Sequence, residues 1–277
     1  MSKKNFYKNC TKTPEKWENL TLKNGFIFSK VMLNEEICKK FIQAATDLPP
    51  IKSIEYVQSE KAINMRPDSK GVRLDIYIED EEGTVYNVEM QAIDTKELPE
   101  RARYYQSMVD LELLEKGENY INIPKSVIIF ICMEDIFKRG LARYTFKNRC
   151  LELDDLTLND GTTKIFLNSK GALKNVNEDV RDFLNYLEGR HTGSEFAKKL
   201  DTEVAKVKRN ESWRSDYMTR HVHETLAKRE GRVEGQKEKA IEIAKKLFQK
   251  GISIDEIEKL TELSPNLLQE IINSDQT

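Results

Sequence analysis

Two alternating runs joined by an acidic turn constrain this chain more than anything else in it. Val72-Arg73-Leu74-Asp75-Ile76-Tyr77-Ile78 and Val85-Tyr86-Asn87-Val88-Glu89-Met90-Gln91 each alternate apolar and polar residues. Between them lies Glu79-Asp80-Glu81-Glu82-Gly83-Thr84, a turn sequence with its glycine. Such a pair reads as a β-hairpin. A turn centred near Glu82 sets Asp75 opposite Glu89 and Arg73 opposite Gln91. All four are odd-numbered, so they share one face of the sheet. A slip of one residue would remove the direct opposition.

That face carries chemistry. Cross-strand neighbours hold their Cβ atoms about 4.5 to 5.5 Å apart. Two carboxylates so close repel, and one pKa rises unless a positive charge lies between them. A divalent ion meets the need, and hard oxygen donors suit magnesium, with manganese the alternative. Such an ion polarises a phosphate and lowers the pKa of a bound water. On this reading Gln91 orients that water or a phosphate oxygen, and Arg73 contacts the phosphate. The plainer reading is a solvated hairpin face, since 33% of the chain is charged. Spacing alone leaves both open.

The flanking segments complete a fold class. Pro99 opens a helix running from about Glu100 to Lys116 and closed by Gly117. Ser126 to Cys132, SVIIFIC, is a continuous apolar run of strand length, as a buried central strand requires. Strand, helix, strand makes a βαβ unit with a parallel crossover. Two further strands are expected at Tyr144 to Leu151 and Thr163 to Leu167. Upstream, residues 1 to about 30 read as an extended lead-in with a turn at Asn24-Gly25. A helix follows, with Asn34 as N-cap, Glu35 and Glu36 in its first turn, and Ile37, Phe41, Ala44 and Ala45 at helical spacing. Pro49-Pro50 ends it. The expected class is α/β (α+β), a mixed central sheet flanked by helices, with a helical C-terminal region.

From about Asn177 the sequence turns helical and strongly charged. Three segments are expected: a core over residues 1–176, a helical extension over 177–230, and a small bundle over 231–277. Gly231 and Gly235 mark a flexible joint or a helix break. Ile241, Ala244, Leu247 and Phe248 then form an apolar stripe that Gly251 ends. Ser253 and Glu256 have capping-box spacing, and Ser264-Pro265 starts the last helix. A helix-turn-helix reader would want basic residues from Pro265 to Ile272, and that segment has none. A self-association or regulatory role for these helices is therefore preferred over base readout.

Bulk properties narrow the rest. The net charge of −2 announces no nucleic-acid partner, so phosphate contacts would need local clusters. Lys138, Arg139, Arg143, Lys147 and Arg149 form one such cluster; Lys206, Lys208, Arg209 and Arg214 around Trp213 form another. Either tracks a phosphate backbone or is an ordinary solvated face. Cys10, Cys38, Cys132 and Cys150 lack metal-ligand spacing and are too few for a disulfide scaffold. They read as reduced cytoplasmic thiols. His221 and His223 read as exposed helix residues, since no Cys or His partner is near. The longest apolar run, Val127 to Met133, falls far below the roughly 20 residues a bilayer span needs. The polar start MSKKNFYKNC has no signal-peptide stretch, so a cytosolic protein without a membrane segment is expected.

The residues also support a family. Asp75 followed by Glu89-x-Gln91 on the next strand resembles the PD-(D/E)XK nuclease fold. More closely, the chain resembles the Rpn family of recombination-promoting nucleases, also described as PD-(D/E)XK nuclease family putative transposases. The likeness lies in TLKNGFIFSKVM, VRLDIYI, YNVEMQ, RARYYQSMVD, YINIPKSVIIFIC, RYTFKNRC, KIFLN and WRSDYM, whose order spans nearly the whole chain. It implies a magnesium-dependent DNA endonuclease in a recombination or mobile-element setting. It implies metal ligation by Asp75 and Glu89. The third catalytic position falls to Gln91, where the wider fold has Lys. Gln is neutral, so the missing positive charge must come from elsewhere. Arg101 or Arg103 in the following helix is placed to supply it, and Arg103-Tyr104 resembles a recurring Arg-Tyr pair of the family. Apart from the resemblance, these arginines read as solvated helix residues. Asn24 stands where relatives carry an acid; Glu35 and Glu36 are explained as first-turn acids. The competing function is a non-catalytic DNA-binding or interaction protein that keeps the fold, with Gln91 marking lost chemistry.

Overall fold

The computed structural model of the protein describes residues 16–64, 70–190 and 193–275. Cys10 and the first part of the expected lead-in lie outside the described residues. Six strands form one sheet: β1 (Ile54–Ile63), β2 (Val72–Asp80), β3 (Val85–Gln91), β4 (Ser126–Cys132), β5 (Arg143–Phe146) and β6 (Thr162–Asn168). Their spatial order is β1-β2-β3-β4-β6-β5. β1, β2 and β3 pair antiparallel. β3, β4 and β6 pair parallel, and β5 closes the far edge antiparallel. The sheet is therefore mixed, as expected.

The hairpin has the register read from its sequence. Ile76 faces Val88, Tyr77 faces Asn87 and Ile78 faces Tyr86. Asp80 fixes it. Its Oδ1 accepts the N–H groups of Glu82 (3.0 Å) and Thr84 (2.8 Å), and its Oδ2 accepts the Tyr86 hydroxyl (2.8 Å). Gly83 turns the chain at φ 76°, a conformation glycine adopts without strain.

The helices are α1 (Gly25–Val31), α2 (Glu35–Ala45), α3 (Leu98–Leu113), α4 (Glu178–Leu187), α5 (Glu195–Arg209), α6 (Glu211–Gln249), α7 (Ile254–Thr261) and α8 (Pro265–Asp275). α3 is the crossover between parallel β3 and β4, and every residue of β4 is buried. It ends four residues before Gly117, which turns the following loop at φ 98°. α3 covers the face carrying Tyr77, Ile128, Phe130 and Phe166. α1 and α2 pack against the sheet from the other side, with α4 and α5 behind them.

One helix replaces part of the expected lead-in, and one strand lies where no element is expected from the sequence. Residues 25–31 are helical, because the Asn24 side chain accepts the N–H groups of Phe26 and Ile27 while Ile27, Phe28 and Val31 are buried. Residues 54–63 form β1, a half-exposed edge strand with a register irregularity between Ile54 and Tyr56 and a positive φ, 60°, at Glu60. β5 is also shorter than expected, four residues in all.

The chain divides into two units, Met1–Arg214 and Ser215–Thr277. α6 runs unbroken through Gly231 and Gly235, so neither is a joint or a break. Each glycine costs about 1 kcal/mol against alanine, and the Glu, Lys, Arg, Gln and Ala around them favour helix enough to carry that. In the second unit Ala244, Ile257, Leu263, Leu268 and Ile271 form a small core. The Ser253 side chain makes no cap bond there, so the expected capping box is not formed. Among the described residues no helix is long and apolar enough to cross a membrane.

The cap on α1 is testable. Asn24→Ala should lower stability by about 0.5–2 kcal/mol, whereas Asn24→Asp, an equally good cap, should retain it. Urea unfolding of both variants checks this; equal losses would show that the cap is not what holds α1.

Candidate active site

The strand ends of the hairpin hold two acids against each other. Beyond the Ile76–Val88 pair, the Asp75 N–H donates to Glu89 Oε1 (3.0 Å), and the Met90 N–H donates to Asp75 Oδ2 (2.9 Å). Each carboxylate thus takes the place of a strand carbonyl. Each keeps a second oxygen: Oδ1 on Asp75 and Oε2 on Glu89. Glu89 is only 3% exposed, and Asp75 is half-buried.

Burial sets their electrostatics. It pushes the Glu89 carboxyl well above the usual carboxylate range, and the nearby charge of Asp75 pushes the same way. The Asp75 N–H and Arg101 offset this only in part. Asp75 is likewise raised by burial, against the Met90 N–H, Arg73 and Arg101. Both acids are therefore short of positive charge.

Arg101, in the first turn of α3, reaches back to this pair. Its Nη2 lies 3.8 Å from Glu89 Oε2. Its Nη1 donates to Gln91 Oε1 (2.7 Å), and its Nη2 donates to the Tyr105 hydroxyl (2.9 Å). The guanidinium lies 5.3 Å from the Tyr105 ring centre and 5.6 Å from that of Phe130. Gln91 Nε2 donates to the Ile93 carbonyl (3.0 Å), so both ends of its amide are engaged.

Of the residues expected at the site, Asp75, Glu89, Gln91 and Arg101 are brought together. Arg73 is exposed on β2 and acts on Asp75 through its charge. Arg103 is exposed on α3, and the Tyr104 hydroxyl donates to the Lys70 carbonyl; neither contacts the carboxylates. Tyr105 and Asn87 were not anticipated. Asn87 is fully buried beside Glu89, and its amide makes no hydrogen bond of good geometry, though it helps favour the charged form of Glu89. Its odd number, shared with Glu89, is the sequence signal that places it on this face. Asn24 caps α1, and Glu36 pairs with Lys199.

The first basic cluster is split by the fold. Lys138 and Arg139 are exposed in the loop leaving β4, at the strand end where Gln91 lies. Cys132 at that end is raised to about 12 by burial and then by Asp94 and Asp135, while Arg101 lowers it. Lys147 and Arg149 follow Phe146, which pairs with Lys164 toward the opposite end of the sheet. Arg143 is held by Asp47 through two 3.0 Å bonds. In the second cluster Lys206 pairs with Glu203, Lys208 bonds the Glu18 carbonyl, and Arg214 pairs with Glu18. Those charges are engaged within the protein.

Among the described residues no group of three or more His, Cys, Asp or Glu side chains gathers to hold a metal. The centre offers two carboxylates, a donor set that fits magnesium, which keeps several waters and takes one or two carboxylates.

A mixed sheet with two acids on adjacent strands, followed by a crossover helix that returns an arginine to them, defines a nuclease-like α/β protein. The chain belongs to the PD-(D/E)XK nuclease family transposases, which it matches over residues 25–210. That family ties it to nuclease and transposase-related function. Comparison with curated proteins and with solved structures finds no match.

The strain between the acids has a measurable side. Both have raised pKa values, so the pair supports folding in acid and loses that support as pH rises through the raised values. Glu89→Gln keeps the oxygen that accepts the Asp75 N–H and removes one buried charge. In EDTA at neutral pH it should raise the thermal midpoint, by about 2–4 °C per kcal/mol gained. The gain should vanish in acid; a midpoint below wild type at both pH values would contradict it.

Proposed function

We propose that the protein is a divalent-metal-dependent DNA endonuclease acting in the cytoplasm, with Asp75 and Glu89 as metal ligands. The observation that carries this is the carboxylate pair, in which each acid is fixed by a backbone N–H through one oxygen and keeps its second oxygen, with Arg101 lying 3.8 Å from that of Glu89. Magnesium or manganese, when bound, would supply Lewis-acid polarisation of a phosphate and an acidified water.

The chain's own residues do the rest. The two backbone bonds hold the carboxylates in place, so little ordering is left for binding. Gln91 fixes the guanidinium of Arg101, which provides the positive charge that Lys provides in the wider fold. Arg73, exposed at the rim, is placed to contact a phosphate of the substrate. Lys138 and Arg139 extend the basic rim on the same side. The C-terminal helices are proposed to mediate self-association.

One observation favours a second reading, a DNA-binding protein without catalysis. Both ends of the Gln91 amide are engaged within the protein, which leaves one N–H and one lone pair of it for a water or a phosphate. Supercoiled plasmid separates the readings. With magnesium or manganese, wild type should nick or linearise it, while Asp75→Ala, Glu89→Ala and EDTA samples stay at background. Uncut plasmid in every lane, with DNA binding intact in all variants, would establish the non-catalytic protein instead.

The position of the basic residues gives a further test. Lys138→Ala with Arg139→Ala should weaken binding to a duplex oligonucleotide and lower the salt slope by about 2. Lys147→Ala with Arg149→Ala should leave cleavage near wild type. A reversed pattern in a salt titration would place the substrate at the other end of the sheet.

A further inference from the structure

The cation at the centre is held by groups other than the acids it faces. Arg101 makes its short contacts with neutral partners, Gln91 Oε1 at 2.7 Å and the Tyr105 hydroxyl at 2.9 Å. Its approach to Glu89 Oε2, at 3.8 Å, is too long for a hydrogen bond. The coupling between them is therefore electrostatic alone. The Arg101 side chain is 25% exposed and that of Glu89 is 4% exposed, so the cation stands at the mouth and the acid lies behind it.

Glu89 Oε1 is taken by the Asp75 N–H. The oxygen left for an ion is Oε2, the one that Arg101 faces. A divalent ion on that oxygen would meet a fixed positive charge nearby. In a partly buried site such repulsion is several times stronger than in water.

We infer that Arg101 is a resident counter-cation that competes with the divalent ion for Glu89. It supports the carboxylate pair while no metal is bound, and it lowers metal affinity. This rests on the metal-ligand reading of Asp75 and Glu89. Arg101 is on this account a positioning residue for the metal, and its effect is readable without any cleavage.

Two features agree with it. The guanidinium is anchored by Gln91, Tyr105 and the Phe130 ring, so it stays nearby when Glu89 turns to another partner. The anchors are neutral, so they do not themselves repel the ion.

The test is manganese binding to the full-length protein, without DNA, by isothermal titration calorimetry. Arg101→Gln should bind manganese more tightly than wild type, by roughly tenfold. Arg101→Lys keeps the charge and should stay close to wild type. Arg101→Met, which keeps the apolar stem against Tyr105 and Phe130, should repeat the Gln result if Arg101→Gln folds poorly. Asp75→Ala and Glu89→Ala serve as the reference for the ligands. If they lose manganese while the neutral Arg101 variants bind no tighter than wild type, the inference is overturned and the metal centre stands. If no protein in the series binds manganese, both the inference and the metal-ligand reading fall.

Discussion

The centre of this protein depends on an exchange at the end of a β-hairpin, where Asp75 and Glu89 each accept a backbone N–H of the opposite strand. Hydrogen bonds to a charged group contribute about 1.5–3 kcal/mol each. Removing a carboxylate from water costs several kcal/mol per ion. Two such bonds and one cation at 3.8 Å from Glu89 do not balance one buried and one half-buried acid, and the raised pKa directions say so. The hairpin therefore stores a demand for positive charge at a fixed place. The Asp80 turn sets the register, and the buried β4 strand beside β3 keeps Glu89 out of water.

Much of this was legible in the sequence because it rests on period-2 alternation and on turn chemistry. The register of β2 with β3, the βαβ crossover and the buried SVIIFIC strand all follow from local pattern. The first helix was not legible. It has seven residues, begins at a glycine and carries two aromatics, so its burial and its Asn24 cap decide it rather than propensity. β1 was hidden for the opposite reason. As an edge strand it is half exposed along most of its length, so no period-2 burial pattern marks it. Gly231 and Gly235 misled because a local cost was read without the length of helix that outweighs it.

The site divides in the same way. Which strand residues face each other was fixed by counting. Which arginine joins them depended on the phase of α3, and phase is set by packing. Ala102, Met108 and Val109 are buried, and with them Arg101 and Tyr105 turn inward while Arg103 and Tyr104 stay exposed. The basic cluster of residues 138–149 was adjacent in sequence and is divided by the direction of β5, which carries Lys147 away from the strand end where Lys138 lies.

Gln91 and Arg101 are best understood together. A lysine at position 91 would set a second positive charge against the guanidinium, at a contact that is now 2.7 Å. Glutamine turns the same contact into a hydrogen bond, because its oxygen accepts what the arginine donates. On the proposed reading, the charge that the wider fold carries on the strand is moved to the crossover helix, and the strand position becomes its anchor. Moving it has a physical consequence. A guanidinium is planar and permanently charged, and here its donors are fixed by neighbours in the protein. On the proposed reading, proton transfer at this centre falls to the two carboxylates or to water. The chemistry left to Arg101 is positioning and electrostatics, which its contacts with Gln91, Tyr105 and the Phe130 ring are built to hold.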